Sequence, residues 1–314
     1  MKSEGKSRVI RVGQGEFVHG DSVCALGVFD GVHAGHRTII SDCIEKARET
    51  GANSVILTFD VDPVEVLSPD KSARKLLSND DRIEMLRTLG ADVVAIQHFD
   101  HEFARMHPLV YIQEAITKFM TPKCIFVGKD FRFGHKAAGD LTLLKRELYE
   151  FGCAVVGEEL YCELGAPVTA TRIRNLIEEG ALDSANELLG RPHFFRATVA
   201  HGREVGRTLG FPTANLVAEH DYVKMCDGVY AGYVEVDGTW HRASISVGVP
   251  KTFGDIAWTT EAHIIDFDAD IYDAHVRAAF ARYLRPMVKF DSPAELMAQI
   301  ARDTQTAADL PDFE

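Results

Sequence analysis

Leu26-Gly27-Val28-Phe29-Asp30-Gly31-Val32-His33-Ala34-Gly35-His36 decides the fold of the first half of this chain. The apolar run Val23–Phe29 reads as a short buried strand of the parallel type, and the apolar spacing over Arg37–Glu49 predicts a helix. A strand, a glycine-rich turn and a helix in that order form the place where an open α/β sheet binds ligands. The free amides and positive dipole end of a helix N-terminus favour anions, and glycines at Gly27, Gly31 and Gly35 let such a group approach the backbone. His33 and His36, at the mouth of the turn with Phe29, are placed to donate hydrogen bonds to phosphate oxygens and to a leaving pyrophosphate. In isolation, a His-x-x-His pair reads equally as two surface histidines on a tight turn or as two ligands of a metal site.

Working outward, the runs Ser54–Phe59, Val93–Gln97, Cys124–Val127 and Ala154–Val156 are short and apolar and predict further parallel strands. The stretches Asn79–Leu89, Leu109–Phe119 and Leu141–Tyr149 between them have helical spacing. The first half is therefore α/β, with helices flanking a parallel sheet. After Pro167 the character changes: Thr169–Glu179 and Ser184–Leu189 read as two helices, stopped by Gly180 and Gly190. Beyond Arg191 the chain becomes strand-rich. Phe194–Ala200, Val229–Val236, Ala243–Val247, Glu261–Ile265 and Val276–Phe280 alternate or are β-branched, and a closing helix over Pro293–Arg302 follows. This pattern predicts a small, mainly β barrel. A boundary near residue 190 divides the chain into domains 1–190 and 191–314.

Length and composition agree with this division. A chain of 314 residues, 46% hydrophobic and 26% charged, is expected to fold as about two ordinary globular domains. No segment is apolar for long enough to cross a bilayer, and Met1 to Arg11 lacks the apolar stretch of a secretory signal. The expected location is cytoplasmic, with no membrane partner. A formal charge of −13 argues against a broad nucleic-acid surface, so any phosphate site must be local. Cys24, Cys43, Cys124, Cys153, Cys162 and Cys226 include no Cys-x-x-Cys pair, and several read as small core residues rather than disulfide partners. The sequence leaves the oligomeric state undefined.

A second glycine-rich loop opens the β half: Gly202-Arg203-Glu204-Val205-Gly206-Arg207-Thr208-Leu209-Gly210-Phe211-Pro212-Thr213-Ala214-Asn215. Glycines four apart at Gly202, Gly206 and Gly210 allow backbone amides to wrap phosphates. Thr213 and Asn215, two apart in an extended run, point to one face and offer hard oxygen ligands for Mg²⁺. No Gly-Lys-Ser/Thr follows the glycines, so this is not a P-loop.

Further along, Thr171, Arg172 and Arg174 open a predicted helix with a hydroxyl, free amides and guanidinium forks, all suited to polyphosphate. Asp130-Phe131-Arg132-Phe133-Gly134 interleaves aromatics with charge. It reads either as a strand end whose phenylalanines are core or as a clamp for a flat heterocycle.

Taken together, these runs resemble a known family. Gly-x-Phe-Asp-Gly-x-His-x-Gly-His resembles the nucleotidyltransferase signature, in which the histidine pair stabilises the transition state of adenylyl or cytidylyl transfer. Thr58-Phe59-Asp60, Val127 to Gly134 with Gly139-Asp140, and Thr169 to Arg174 look like successive motifs of the adenylyltransferase module of bacterial bifunctional riboflavin kinase/FAD synthetases. Pro212-Thr213-Ala214-Asn215 looks like the riboflavin kinase fingerprint. It is followed in order by Asp227 to Gly232, Ser246-Val247-Gly248, Glu261 to Phe267, Tyr272, Leu284-Arg285 and Lys289-Phe290. The resemblance covers nearly the whole chain. It implies a Rossmann-like nucleotidyltransferase domain followed by a riboflavin kinase barrel, with ATP as co-substrate, Mg²⁺ as cofactor, and riboflavin, FMN and FAD as substrates and products. It also implies nucleotide contacts from the first glycine turn and from Thr171, Arg172 and Arg174. Asp130 and Phe131 would contact flavin, Glu261 would be the base of the kinase half, and Arg285 would contact flavin or nucleotide.

Four positions depart from the family pattern. Val61-Asp62-Pro63 stands where Pro-His-Pro is usual, and Ala170 replaces a hydroxyl residue. Pro250-Lys251-Thr252 replaces Asn-Pro-Thr, and Tyr272-Asp273 replaces Tyr-Gly. They leave open a reading in which one activity survives and the other domain is a flavin-binding regulator. A non-enzymatic flavin carrier, which would bind without consuming ATP, is a further alternative.

Overall fold

The computed structural model describes residues 7–68, 74–202, 211–249 and 259–313. By packing the chain forms two compact units. One runs up to Thr169 without Arg74–Ser78, and the other joins Arg74–Ser78 to the chain from Ala170 onward.

In the first unit the chain order is β1 (Arg8–Arg11), β2 (Asp21–Leu26), α1 (Ala34–Thr50), β3 (Asn53–Phe59), α2 (Pro63–Leu67), α3 (Asn79–Thr88) and β4 (Val93–Gln97). It continues through α4 (His101–Ala104), α5 (Pro108–Tyr111), β5 (Thr121–Gly128), β6 (Arg132–Phe133), β7 (Gly139–Asp140) and α6 (Leu141–Tyr149). The unit closes with β8 (Ala154–Glu158) and a short antiparallel pair, β9 (Cys162–Glu163) and β10 (Ala166–Pro167).

Six strands make one parallel sheet in the order β1-β4-β3-β2-β5-β8. The chain steps outward from β2 to β3 to β4, then returns to lay β5 on the other side of β2. The carboxyl ends of β2 and β5 therefore flank the topological switch point, where such sheets bind ligands.

The central strands are apolar throughout because both faces are covered. Val23, Cys24, Ala25 and Leu26 of β2 and Val55, Ile56 and Leu57 of β3 are all buried. On one face Cys24, Leu26, Val55, Leu57, Ile125 and Val127 pack with Tyr111, Ile112, Ile116, Leu144 and Leu148 from the helical segments. On the other, α1 inserts Ile40, Cys43 and Ala47, the one-face spacing of a helix. That helix stops at Gly51, whose φ of 68° favours glycine and whose N–H returns to Ala47 O and Arg48 O.

The expected strands all appear, as the core of a Rossmann-like sheet. One strand was hidden: Arg8–Arg11 looks basic and polar, yet it pairs with β4 at the sheet edge. An edge strand buries little, and here Ile10 alone of the four is buried. The single helix expected over Leu109–Phe119 is instead α5 followed by a π-helical stretch, Ile112–Thr117.

In the second unit, α7 (Ala170–Glu178) and α8 (Leu182–Leu189) lead into β11 (His193–Ala200), β12 (Ala214–Ala218), β13 (Gly228–Val236), β14 (Thr239–Gly248), β15 (Thr259–Ile264), β16 (His275–Arg285) and α9 (Pro293–Ala308). The strands close into an antiparallel barrel in the order β11-β12-β15-β14-β13-β16. Val199, Tyr230, Ile245, Val247, Ala262 and Phe280 are buried in it. Helix α9 starts at Ser292, whose Oγ accepts the Glu295 N–H at 3.2 Å, and packs on β13 and β14.

Packing groups α7 and α8 with the barrel. The Asn186 side-chain amide of α8 donates to Phe280 O at 2.9 Å and Ala281 O at 3.2 Å, and its carbonyl oxygen accepts the His193 N–H at 2.8 Å. One polar side chain thus bonds the helix to two barrel strands. All six cysteines are free, and Cys24, Cys43, Cys124 and Cys153 are buried. Among the described residues, no helix is long and apolar enough to cross a membrane.

Candidate active sites

After β2 the backbone turns sharply. Phe29, Gly31 and Val32 have φ of 58°, 74° and 43°, all in the left-handed region. For non-glycine residues such conformations cost on the order of 1–3 kcal/mol each, and they cluster at functional sites. The ring of Phe29 folds back over Gly27, where a Cβ would lie 2.9 Å from it, so glycine is needed there. Phe29 then meets His36 edge-on, with ring centroids 5.3 Å apart at 90°.

His33 is buried and caps α1: its Nδ1 accepts the backbone N–H of His36 at 3.3 Å. The His33 and His36 rings stack, with centroids 3.5 Å apart and planes at 19°. Burial, then the His33 and Arg82 charges, hold the His36 pKa well below the ordinary histidine value. The pair thus presents a neutral His36 at the N-terminus of a long helix. Among the described residues, no group of three or more His, Cys, Asp or Glu side chains is placed to hold a metal ion.

A residue absent from the sequence reading underlies this turn. Arg82 on α3 is 2% exposed. Its Nη1 donates to Val28 O at 2.7 Å and Thr58 Oγ1 at 2.6 Å, and its Nη2 to Phe59 O at 2.7 Å. Its signal in the sequence was a position four residues before Leu86, on the buried stripe of α3.

Asp62, the residue in place of the usual histidine, has a structural task. Its side chain accepts the Val64 N–H at 2.9 Å while Glu65 accepts the Asp62 N–H at 3.0 Å, a capping box for α2. Beyond β5 lie the two phenylalanines of the Asp130–Gly134 run. Phe133 is buried against Tyr111, whereas Phe131 is half-buried and stacks on Phe133 at 5.6 Å. Asp130 beside it is exposed. Thr171, Arg172 and Arg174 lie in the first turns of α7, Thr171 exposed and the arginines half-buried, and Arg174 Nε donates to Arg74 O at 2.7 Å.

In the barrel, Asn215 on β12 sits directly opposite Glu261 on β15. Thr213 Oγ1 donates to Glu261 Oε2 at 3.4 Å. Glu261 is brought to the sequence neighbours Thr213 and Asn215 because closure of the barrel places β12 beside β15. Gly202 lies against Asn215: a Cβ there would be 1.9 Å from the amide nitrogen. Nearby, His263 Nδ1 donates to Pro212 O at 2.8 Å. A cavity of about 300 Å³ opens beside Thr213, lined by Val199, Ile264, Phe267, Asp268, Asp270 and Tyr272 among others. Asp273 has φ of 60° and donates its N–H to Val199 O at 2.8 Å, which explains why glycine is usual there and why Asp, tolerant of that region, can replace it. Gly206, Gly210, Pro250 and Lys251 lie outside the described residues.

Arg285, expected at flavin or nucleotide, is engaged with Asp303 of α9. Nη2 and Nε both reach Asp303 Oδ2, at 2.7 and 3.0 Å, and the guanidinium lies 5.6 Å from the Phe290 ring.

A histidine pair at the switch point of a parallel sheet, and a Thr-Asn-Glu set on a closed barrel, define a two-site enzyme of the transferase class. The family model for FAD synthetase matches residues 16–172, and that for riboflavin kinase matches residues 189–310. The bifunctional riboflavin kinase/FMN adenylyltransferase of Escherichia coli K12 is 34% identical over 288 residues, 91% of each chain, and that of Bacillus subtilis 168 is 32% identical over 291 residues, 91% of each. A crystal structure described as a macrolide-efflux protein from Streptococcus pneumoniae superposes with a TM-score of 0.85 at 31% identity, covering 96% of this chain and 99% of that one. This chain belongs to the bifunctional riboflavin kinase/FMN adenylyltransferase family.

Proposed function

We propose that the barrel phosphorylates riboflavin with ATP and that the parallel-sheet unit transfers AMP from a second ATP to the resulting FMN. The observation that carries this reading is that the two family matches lie in series, each over its own set of phosphate-handling residues.

In the barrel, Glu261 takes the proton of the ribityl 5′-hydroxyl as that oxygen attacks the γ-phosphorus, and ADP leaves. Thr213 and Asn215 supply hard oxygens beside Glu261, a donor set that fits Mg²⁺. When bound, the ion neutralises phosphate charge. The cavity beside Thr213 has apolar walls at Val199, Ile264 and Phe267, suited to the nucleotide base. Arg285 acts through Asp303, fixing the end of β16 against α9. Gly202 brings the backbone against Asn215, where its amide serves the phosphates.

In the other unit a phosphate oxygen of FMN attacks the α-phosphorus of ATP, and the bond to pyrophosphate breaks. His33 and His36 donate to the oxygens that gain charge, and the α1 amides hold them. Asp130 and Phe131 hold the flavin edge and face. The location we propose is the cytoplasm.

The test is to incubate the chain with riboflavin, ATP and Mg²⁺ and separate the flavins by chromatography. FMN and then FAD are expected. FMN alone would leave one activity with a regulatory second unit, and binding without ATP consumption would make the chain a carrier.

A further inference from the structure

Arg82 is a charged side chain with almost no contact with water, which is costly unless its donors are satisfied. They are satisfied at three points at the carboxyl ends of β2 and β3. Val28 O belongs to the residue immediately before the left-handed Phe29, and Thr58 Oγ1 and Phe59 O belong to the end of β3. Thr58 Oγ1, which accepts from Arg82, also donates to Val28 O at 3.1 Å. The guanidinium fork therefore ties the exit of β2 to the end of β3, one residue upstream of the strained turn that carries His33 and His36. Helix α3 itself packs against the Asp30–Val32 turn.

The strain needs such a tie. Phe29 and Val32 hold unfavourable backbone conformations, which persist only where surrounding bonds over-determine them. A neutral side chain at residue 82 would leave Val28 O and Phe59 O without these donors. It would also let the turn relax toward ordinary φ values and move the stacked imidazoles away from the α1 amides.

We propose that Arg82 is a positioning residue for adenylyl transfer, clamping the β2 exit to the β3 end so that His33 and His36 are held at the N-terminus of α1. It acts through the histidine turn rather than on substrate. This inference rests on the reading of that turn as the adenylyl-transfer site. Its positive charge has a second, smaller consequence: after burial and His33, it helps to hold the His36 pKa down. The acids that act on Arg82 in turn are Asp30, Asp62, Glu65 and Asp60.

The experiment compares full-length wild type with Arg82→Met, Arg82→Lys and Thr58→Val. FAD formation from supplied FMN is measured across pH 5.5–9, and FMN formation from riboflavin serves as an internal control. Misplacing reacting groups by about 1 Å can cost about 100-fold. For Arg82→Met we expect kcat for FAD formation to fall by about that factor. KM for ATP and FMN should stay within about threefold, FMN formation should be unchanged, and the acid limb of the FAD profile should move to higher pH as His36 becomes easier to protonate. Arg82→Lys keeps the charge without the fork, so its acid limb should match wild type while kcat recovers only in part. Thr58→Val removes one anchor and should give a smaller kcat loss of the same kind.

A kcat for Arg82→Met within threefold of wild type would overturn the proposal, as would an unmoved acid limb with a uniform rise in KM. If Arg82→Met proves unfolded in its first unit by circular dichroism, the Lys and Val variants decide: wild-type kcat in both rejects the clamp. A wild-type chain that makes no FAD at all would sink the functional reading itself, an outcome separate from any of these.

Discussion

His33 and His36 stack face to face with ring centroids 3.5 Å apart, and the same pair is joined a second time by the bond from the His36 N–H to His33 Nδ1. Burial, the largest cause, keeps His36 neutral. Removing a preorganised donor from such a site costs about 100- to 1,000-fold in kcat. Replacing His36 with Ala should lower FAD formation by that factor and leave FMN formation within twofold. Equal losses in both steps, measured by flavin chromatography, would contradict the assignment.

Glu261 is placed opposite Asn215 and within 3.4 Å of Thr213 Oγ1. Glu261→Gln preserves the shape and removes the base, so FMN formation should drop by about 100-fold or more. FAD formation from supplied FMN should not change. An active Glu261→Gln kinase would move the role of base to another residue.

His193 is fully buried with neither ring nitrogen hydrogen-bonded, and burial, helped by the Arg191 charge, pushes its pKa down to about 3. The unfolded chain binds this proton near the ordinary value of about 6.5, so acid favours the unfolded state. The contribution is present above pH about 6.5 and is lost progressively as pH falls to about 3, up to roughly 5 kcal/mol in full. Urea titrations at pH 8, 5.5 and 4 should show a shallower loss of stability in His193→Leu than in wild type. Parallel curves for the two proteins would show that His193 titrates with little effect on folding.

Arg285 and Asp303 form a largely buried pair through two guanidinium nitrogens. Breaking one partner of a buried pair leaves an uncompensated charge and costs about 3–5 kcal/mol. Asp303→Ala should lower the urea midpoint of the barrel by a corresponding amount, with FAD formation from FMN less affected than FMN formation from riboflavin. A change below about 1 kcal/mol would place the pair among exposed, weak ion pairs.

The legible parts of the molecule were those encoded by local chemistry. The β2 strand could be read because its residues are apolar on both faces, and the turn after it because glycine and histidine have few roles at such a place. Asn186 and Arg82 could not be read. Each is a polar residue in an ordinary helical pattern, and its importance comes from carbonyls far along the chain: Phe280 and Ala281 for Asn186, and Val28 and Phe59 for Arg82. The edge strand Arg8–Arg11 was missed because pairing at an edge needs little apolar surface. Asp62 stands where the family pattern has a histidine, and its task as a helix cap is made visible only by its bond to the Val64 N–H.

From the sequence alone came the α/β-then-barrel order, the two phosphate-handling runs and the family they resemble, because periodicity, glycine placement and short motifs are local properties. The tertiary structure decided which residues meet. It set Glu261 opposite Asn215 by closing the barrel, joined α7 and α8 to the barrel through Asn186, and buried a guanidinium behind the histidine turn. Contacts of this kind depend on strand order and register, and no window of sequence contains both partners.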